Sequence, residues 1–296
     1  MDSEIRVRFA GEDPVIQGKI VDLLARCFDV WVTRRETLGH RFPFRELSFA
    51  AYDEADNVVG HLGIIPFDLC DGKNSLLRMA GIASVGVDPQ FRKRGIAGML
   101  CLAAEKWAKE NGFDALPLFT ALTGVYAKYG WEIQSVNGVT LKNPVPPAAA
   151  IWRTGSALSP GETGIIKTLY AATAAFPGKV QRLEGSYPAN SWGRLFARED
   201  IRWLISKDAY LMRVDDVTAE AGGDISAAAE LASAVSGELF LSPADPLCDE
   251  LLKRDFSIQK YGFVSPGCWD GEVMMMKKLS SGKFPEQLFI PLPHKF

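Results

Sequence analysis

The 296-residue chain has no large excess of either charge. Its 33 Lys and Arg stand against 36 Asp and Glu, a formal net charge of −3, which argues against a dedicated nucleic-acid surface. No apolar run reaches the length of a membrane span. The opening Met-Asp-Ser-Glu-Ile-Arg carries charge where a secretory leader needs an apolar core. Cysteine and histidine are few, five and three, and scattered. Cys27, Cys70, Cys101, Cys248 and Cys268 form no Cys-x-x-Cys, which reads as reduced thiols in the cytoplasm. His40, His61 and His294 stand alone, so no metal site is expected. Two nucleotide signatures are missing as well: Gly-x-x-x-x-Gly-Lys-Ser/Thr, and Gly-x-Gly-x-x-Gly after a first strand. What remains is an ordinary globular composition, 47% hydrophobic and 23% charged, in a chain longer than one compact domain needs.

The most informative stretch is Ala83 to Gly98. Val85 and Val87 alternate with Ser84 and Gly86, as strand positions do. Pro89 ends the strand because it has no N–H for the ladder. After Gly98, Met99, Leu100, Leu102, Ala103 and Trp107 recur at helical spacing, up to a left-handed stop at Gly112. A helix that begins at Gly95 with free N–H groups, behind Arg92-Lys93-Arg94, is an anion site, and a pyrophosphate is the anion it suits. A solvated basic turn before an ordinary helix is the plainer alternative.

A second motif follows. Ala115-Leu-Pro-Leu-Phe-Thr120 reads as a strand, and Gly124-Val-Tyr-Ala-Lys-Tyr-Gly-Trp131 as a short helix ended by Gly130. Arg92-Lys-Arg-Gly-Ile-Ala97 resembles the Arg/Gln-x-x-Gly-x-Gly/Ala loop of the GNAT N-acetyltransferases, and Gly124–Trp131 resembles their Tyr-x-Lys-x-Gly-Phe segment. The resemblance is clearest from Ala83 to Trp131. It implies that the amides of Arg92, Lys93, Arg94, Gly95, Ile96, Ala97 and Gly98 hold the pyrophosphate of acetyl-coenzyme A (acetyl-CoA). It implies that the pantetheine arm pairs with Val85, Gly86 and Val87 where two parallel strands part, and that the thioester lies near Thr120, Ala121 and Tyr126. Gly86, without a side chain, is consistent with close approach of a ligand or with a bulge. Tyr126 falls on the position of the family's general acid, which protonates the leaving thiolate. The plainer reading of Tyr126 is core packing, and Tyr129 is read as a packing residue. A base must also take the proton of the acceptor amine; His61 and a water chain are candidates, and a resemblance to the enhanced-intracellular-survival acetyltransferases, where a C-terminal carboxylate is the base, implies that of Phe296.

The predicted order is strand (Glu4–Phe9), helix (Pro14–Trp31), three strands, helix, strand, helix, strand. That is a mixed, mostly antiparallel α+β GNAT fold over residues 1–142, with Arg34–Phe44 walling the acceptor side. Asn143-Pro-Val-Pro-Pro-Ala-Ala-Ala150 reads as a stiff linker. Residues 151–296 then read as a degenerate GNAT-like α+β domain with an apolar C-terminal tail, or as an unrelated α+β appendage. No cations precede its helix after Gly222-Gly223, so no phosphate site is expected there. The layout resembles the enhanced-intracellular-survival acetyltransferases, a tandem-GNAT branch, without their sterol-carrier domain. It implies an acetyl-CoA-dependent N-acetyltransferase acting on a small-molecule or peptide amine, with no nucleic-acid or membrane partner; oligomeric state is not legible. An acyltransferase with another acyl group or acceptor, and a catalytically silent CoA-binding regulatory protein, stay open.

Overall fold

The protein's computed structural model describes residues 4–11, 13–29, 32, 47–72, 75–134, 138–182, 192–262, 272–281, 284 and 289. The strands are β1 (Arg6–Phe9), β2 (Ser48–Tyr52), β3 (Val58–Cys70), β4 (Leu76–Val87), β5 (Ala115–Thr120), β6 (Glu132–Ile133), β7 (Gly138–Lys142), β8 (Arg153–Thr154), β9 (Val180–Gln181), β10 (Ile201–Ile205), β11 (Ala209–Val214), β12 (Val217–Gly223), β13 (Glu238–Leu241), β14 (Ser257–Gly262) and β15 (Val273–Lys278). The helices described are α1 (Pro14–Cys27), α2 (Ile96–Glu110), α3 (Thr123–Ala127), α4 (Pro160–Ala172), α5 (Trp192–Ala197), α6 (Ile225–Val235) and α7 (Pro246–Leu252). None of them is long and apolar enough to cross a membrane.

Two mostly antiparallel sheets organise these elements, in the orders β1-β2-β3-β4-β5-β15-β6 and β14-β7-β13-β12-β11-β10-β8. In the first, α2 lays Ile96, Leu100, Cys101, Ala104 and Ala108 on Leu62, Ile64, Ile82, Leu116 and Leu118. The opposite face is covered by α1 through Ile20, Leu23 and Leu24. This helix starts where expected, with Asp13 accepting from the Val15 N–H and Pro14 in the first turn, the arrangement that satisfies a helix start. It stops at Cys27, short of the expected Trp31, because Phe28 turns extended. In the second sheet α6 packs Ala228, Ala229 and Ala232 on Leu211, Leu239 and Leu241.

The sheets do not follow a boundary at residue 142. Strand β7 pairs with β13 and β14 in the second sheet. Strand β15 enters the first sheet, antiparallel to β5 from Val273–Thr120 to Lys278–Ala115. The two halves thus exchange a strand. The linker after β7 is also fastened: the Asn143 amide donates to the carbonyls of Ser233 and Ser236 at 2.8 and 3.0 Å, and the Ala148 N–H to Ala234 O. A further crossing is β9, which pairs with the far end of β3 at Asp68 and Leu69.

Candidate active site

The parallel ladder between β4 and β5 has its pairs at Met79–Ala115 and Ile82–Leu118, while β4 runs on to Val87 and β5 to Thr120. Just past the last pair, β4 carries a bulge. Its register against β3 shifts between His61 and Gly63, and Ser84 adopts φ 49°. An extra residue on one strand bends it and sharpens its twist. Among the described residues the β4–β5 ladder has its last pair at Ile82–Leu118, short of Val85–Val87 and Thr120. Gly86 follows the bulge, and α1 approaches it closely: a Cβ there would lie 3.1 Å from Leu24 Cδ2 and 3.3 Å from Cys27 Sγ. The missing side chain lets α1 close on β4.

His61 is fully enclosed, and its Nδ1 lies 2.9 Å from Ser84 O. A carbonyl only accepts, so Nδ1 carries the proton. Burial pulls the imidazole pKa down to about 4. The ring is neutral near pH 7 and is shut off from an acceptor amine, which removes it as the general base. Of the other candidates, Phe296 lies outside the described residues, as does the Arg34–Phe44 wall.

The basic loop joins the end of β4 to α2. Asp88 accepts from the Gln90 N–H and starts a single 3-10 turn, Pro89–Phe91. Lys93 and Gly95 then take φ 66° and 76°. Gly95 caps α2 without any side-chain acceptor. The first helical N–H groups are thus left without a side-chain acceptor at the positive end of the dipole, behind the exposed Arg92, Lys93 and Arg94. Arg92 donates to Val87 O at 3.3 Å, and Arg94 lies over the Phe91 ring at 4.9 Å. A Cβ on Gly95 would meet nothing within 4 Å, so it is the left-handed φ, not crowding by the protein, that favours glycine here. Ile96 is buried against β3, where a Cβ on Gly60 would come within 2.8 Å of its Cγ2. Ala97 is half-buried in the same turn. Gly98 is a packing position, since a Cβ there would sit 1.9 Å from the Tyr129 hydroxyl. Tyr129 is thus the packing residue it was read to be.

Beyond β5, Thr120 Oγ1 accepts from the Leu122 N–H at 2.9 Å and starts the turn into α3. Ala121 is exposed. Tyr126 is 9% exposed, within the first core; its ring meets Trp131 edge-on at 6.3 Å. Burial pushes its phenol above the ordinary value, with Cys101 nearby acting the same way. Among the described residues its hydroxyl has no hydrogen-bond partner. Lys277, which the sequence did not single out, fixes this region from the exchanged strand. Its Nζ reaches Glu105 on α2 at 2.7 Å and Tyr129 O at 2.5 Å. Only knowledge of the β15 pairing places that lysine here.

The matching place in the second half is closed. Asp224 caps α6 and accepts from the Ala227 N–H at 2.9 Å, which puts an acid where an anion would bind. Strands β12 and β13 have one ladder pair, Thr218–Leu239. The space beyond it, bounded by Tyr170, Lys179, Glu220, Asp245 and Phe289, is only about 20 Å³, room for about one water. A larger cavity of about 430 Å³ lies elsewhere on that sheet, beside Lys142, Trp152 and Arg213. It shares no residue with the loop or the cleft.

Comparison with known proteins follows this division. The family described as acetyltransferase (GNAT) domain matches residues 16–134. Among solved structures, a GCN5-related N-acetyltransferase from Kribbella flavida aligns at 17% identity and TM-score 0.59, over 94% of this chain and 71% of its own. One from Anabaena variabilis aligns at 17% and 0.59, over 93% and 73%. Eis1 from Mycobacterium abscessus aligns at 14% and 0.58, over 93% and 73%. At such identities the likeness is one of fold, and it extends through both sheets. No curated protein matches the chain.

Proposed function

Since the chain carries a GNAT acetyltransferase domain over residues 16–134, we propose that it moves acetyl from acetyl-CoA to a primary amine by direct attack, as a cytoplasmic enzyme. The observation that carries this reading is the uncapped, positive-φ start of α2 at Gly95, set beside the interrupted ladder between β4 and β5. Backbone donors of residues 92–98 hold the pyrophosphate, with Arg92, Lys93 and Arg94 supplying charge. The pantetheine arm pairs with the main chain at Val85–Val87, in the place that β5 leaves. Thr120 and Ala121 border the thioester, where an amide donor polarises its carbonyl.

The overall balance is an ammonium and a thioester giving an amide, a thiol and one proton. The ammonium first loses a proton to water. The free amine attacks the acetyl carbonyl, the carbon–sulfur bond breaks, and the departing sulfur takes a proton. Tyr126 donates a hydrogen bond to that sulfur and passes the proton on. A phenol is protonated at neutral pH at its ordinary value, and burial pushes the Tyr126 phenol further in that direction.

Two measurements test the reading. Gly95→Val puts a β-branched residue at φ 76°, which strains the loop. CoA affinity by calorimetry is expected to fall at least about tenfold; an unchanged affinity removes the loop from the site. Tyr126→Phe is expected to lower kcat about 100-fold, the lower end of general acid–base effects, with CoA affinity retained. The burial of Tyr126 favours one second reading, a CoA-binding protein without catalysis. Thiol release from acetyl-CoA across an amine panel separates the two: binding without release selects the second.

A further inference from the structure

We propose that His61 is a positioning residue for acyl-CoA: its Nδ1–H holds the Ser84 carbonyl, and so fixes the bulge that steers Val85 and Val87 along the cleft. The inference rests on the acyl-CoA reading of that cleft and concerns a side chain that touches neither the loop nor the reacting atoms.

The argument starts from what a bulge leaves unpaired. Shifting the β3–β4 register takes Ser84 out of the ladder, and a buried carbonyl without a donor is costly. Ser84 also sits at φ 49°, a conformation that a non-glycine residue keeps only when its surroundings impose it. The missing donor comes from the neighbouring strand. His61 lies opposite Gly86 and its ring reaches back to Ser84 at 2.9 Å. An imidazole is an expensive choice for a wholly enclosed strand position, since burying a polar ring costs free energy unless it is hydrogen-bonded. Valine or isoleucine would suit the strand better if packing were the only requirement.

Two further contacts show that this stretch is held by side chains. Val87 O receives the Cys27 thiol at 3.4 Å and Arg92 Nε at 3.3 Å. His61, Cys27 and Arg92 thus keep the end of β4 on course where the β5 ladder has stopped. The basic loop is tied to the same carbonyl through Arg92. An error in the angle of the bulge is therefore carried into both the pantetheine path and the phosphate seat.

The test compares three variants in steady-state kinetics with acetyl-CoA and an amine acceptor, with CoA affinity measured by calorimetry. His61→Leu removes the donor. His61→Asn keeps a nitrogen donor near the Nδ1 position. Ser84→Val leaves His61 intact but forces a β-branched residue into the left-handed region, which it resists. His61→Leu and Ser84→Val are expected to raise the acetyl-CoA KM and the CoA Kd about tenfold, with kcat at saturation within about twofold. His61→Asn is expected to restore both constants to within about twofold of wild type. A merely structural role would make KM follow thermal stability and would give no selective rescue by Asn. Unchanged KM and Kd in His61→Leu, or in Ser84→Val should the first variant not fold, overturn the inference while leaving the acyl-CoA reading intact. So does His61→Asn behaving like His61→Leu. Wild-type protein that fails to bind CoA overturns both.

Discussion

A fragment ending at residue 150 is expected not to fold. It lacks β15, which lies between β5 and β6 in the first sheet, and it exposes β7, whose partners β13 and β14 belong to the other half. Strand β15 contributes Met274, Met275 and Met276, each no more than 3% exposed. Burying a methionine is worth about 1.5–3 kcal/mol, so three of them approach the whole stability of a typical domain, about 5–15 kcal/mol. The fragment also loses Lys277, which bridges Glu105 and Tyr129. Circular dichroism and urea titration of residues 1–150 should show no cooperative transition. Co-expression with residues 151–296 should recover a soluble complex that unfolds as one unit. Cooperative unfolding and CoA binding by the short fragment alone would contradict the exchange of strands.

Arg182→Met is expected to cost about 3–5 kcal/mol, the usual loss when one partner of a buried ion pair is removed. The Arg182 side chain is fully buried and makes paired bonds of 2.7 and 2.6 Å to both Glu220 oxygens. Its guanidinium lies 4.3 Å from the Tyr170 ring centre and 4.8 Å from that of Trp192. The Tyr210 hydroxyl donates to Glu220 at 2.6 Å. Without the arginine, the Glu220 carboxylate keeps the Tyr210 hydroxyl as a donor and the more distant Lys179 as a cation, but loses its two-point partner. Its charge is then poorly compensated, and the loss exceeds what packing alone would give. The double variant Arg182→Met/Glu220→Leu should recover much of the stability, because a buried pair replaced as a unit is often neutral. Urea midpoints at constant m-value decide it. Equal stability of the single and double variants would show that shape, not charge, dominates this core.

The parts legible from sequence were those whose signals are local. The Arg92–Ala97 loop, the helix behind it and the Thr120–Trp131 turn each depend on residues next to one another, and each lies where it was expected. Partner choice was not legible. Val139, Leu141 and Met274–Met276 alternate or run as strands do, but the pattern is the same whichever sheet receives them. Residues 138–142 were therefore assigned to the half they adjoin in sequence. Gly86 illustrates a second limit. A glycine beside a bulge announces a close approach, and only the packing of Leu24 and Cys27 shows that α1 is what approaches. The left-handed Ser84 gave no signal at all, because serine is not the residue that ordinarily marks a positive φ.

The place of β15 also sets the order in which this molecule is made. The ribosome releases Thr120 well before Val273, and at about 5–20 residues per second the interval is roughly 8–30 s. For that time the open edge of β5 waits for a partner still unsynthesised. An edge left bare for so long invites pairing with a neighbouring nascent chain, so a chaperone's protection matters most while the second half is being translated.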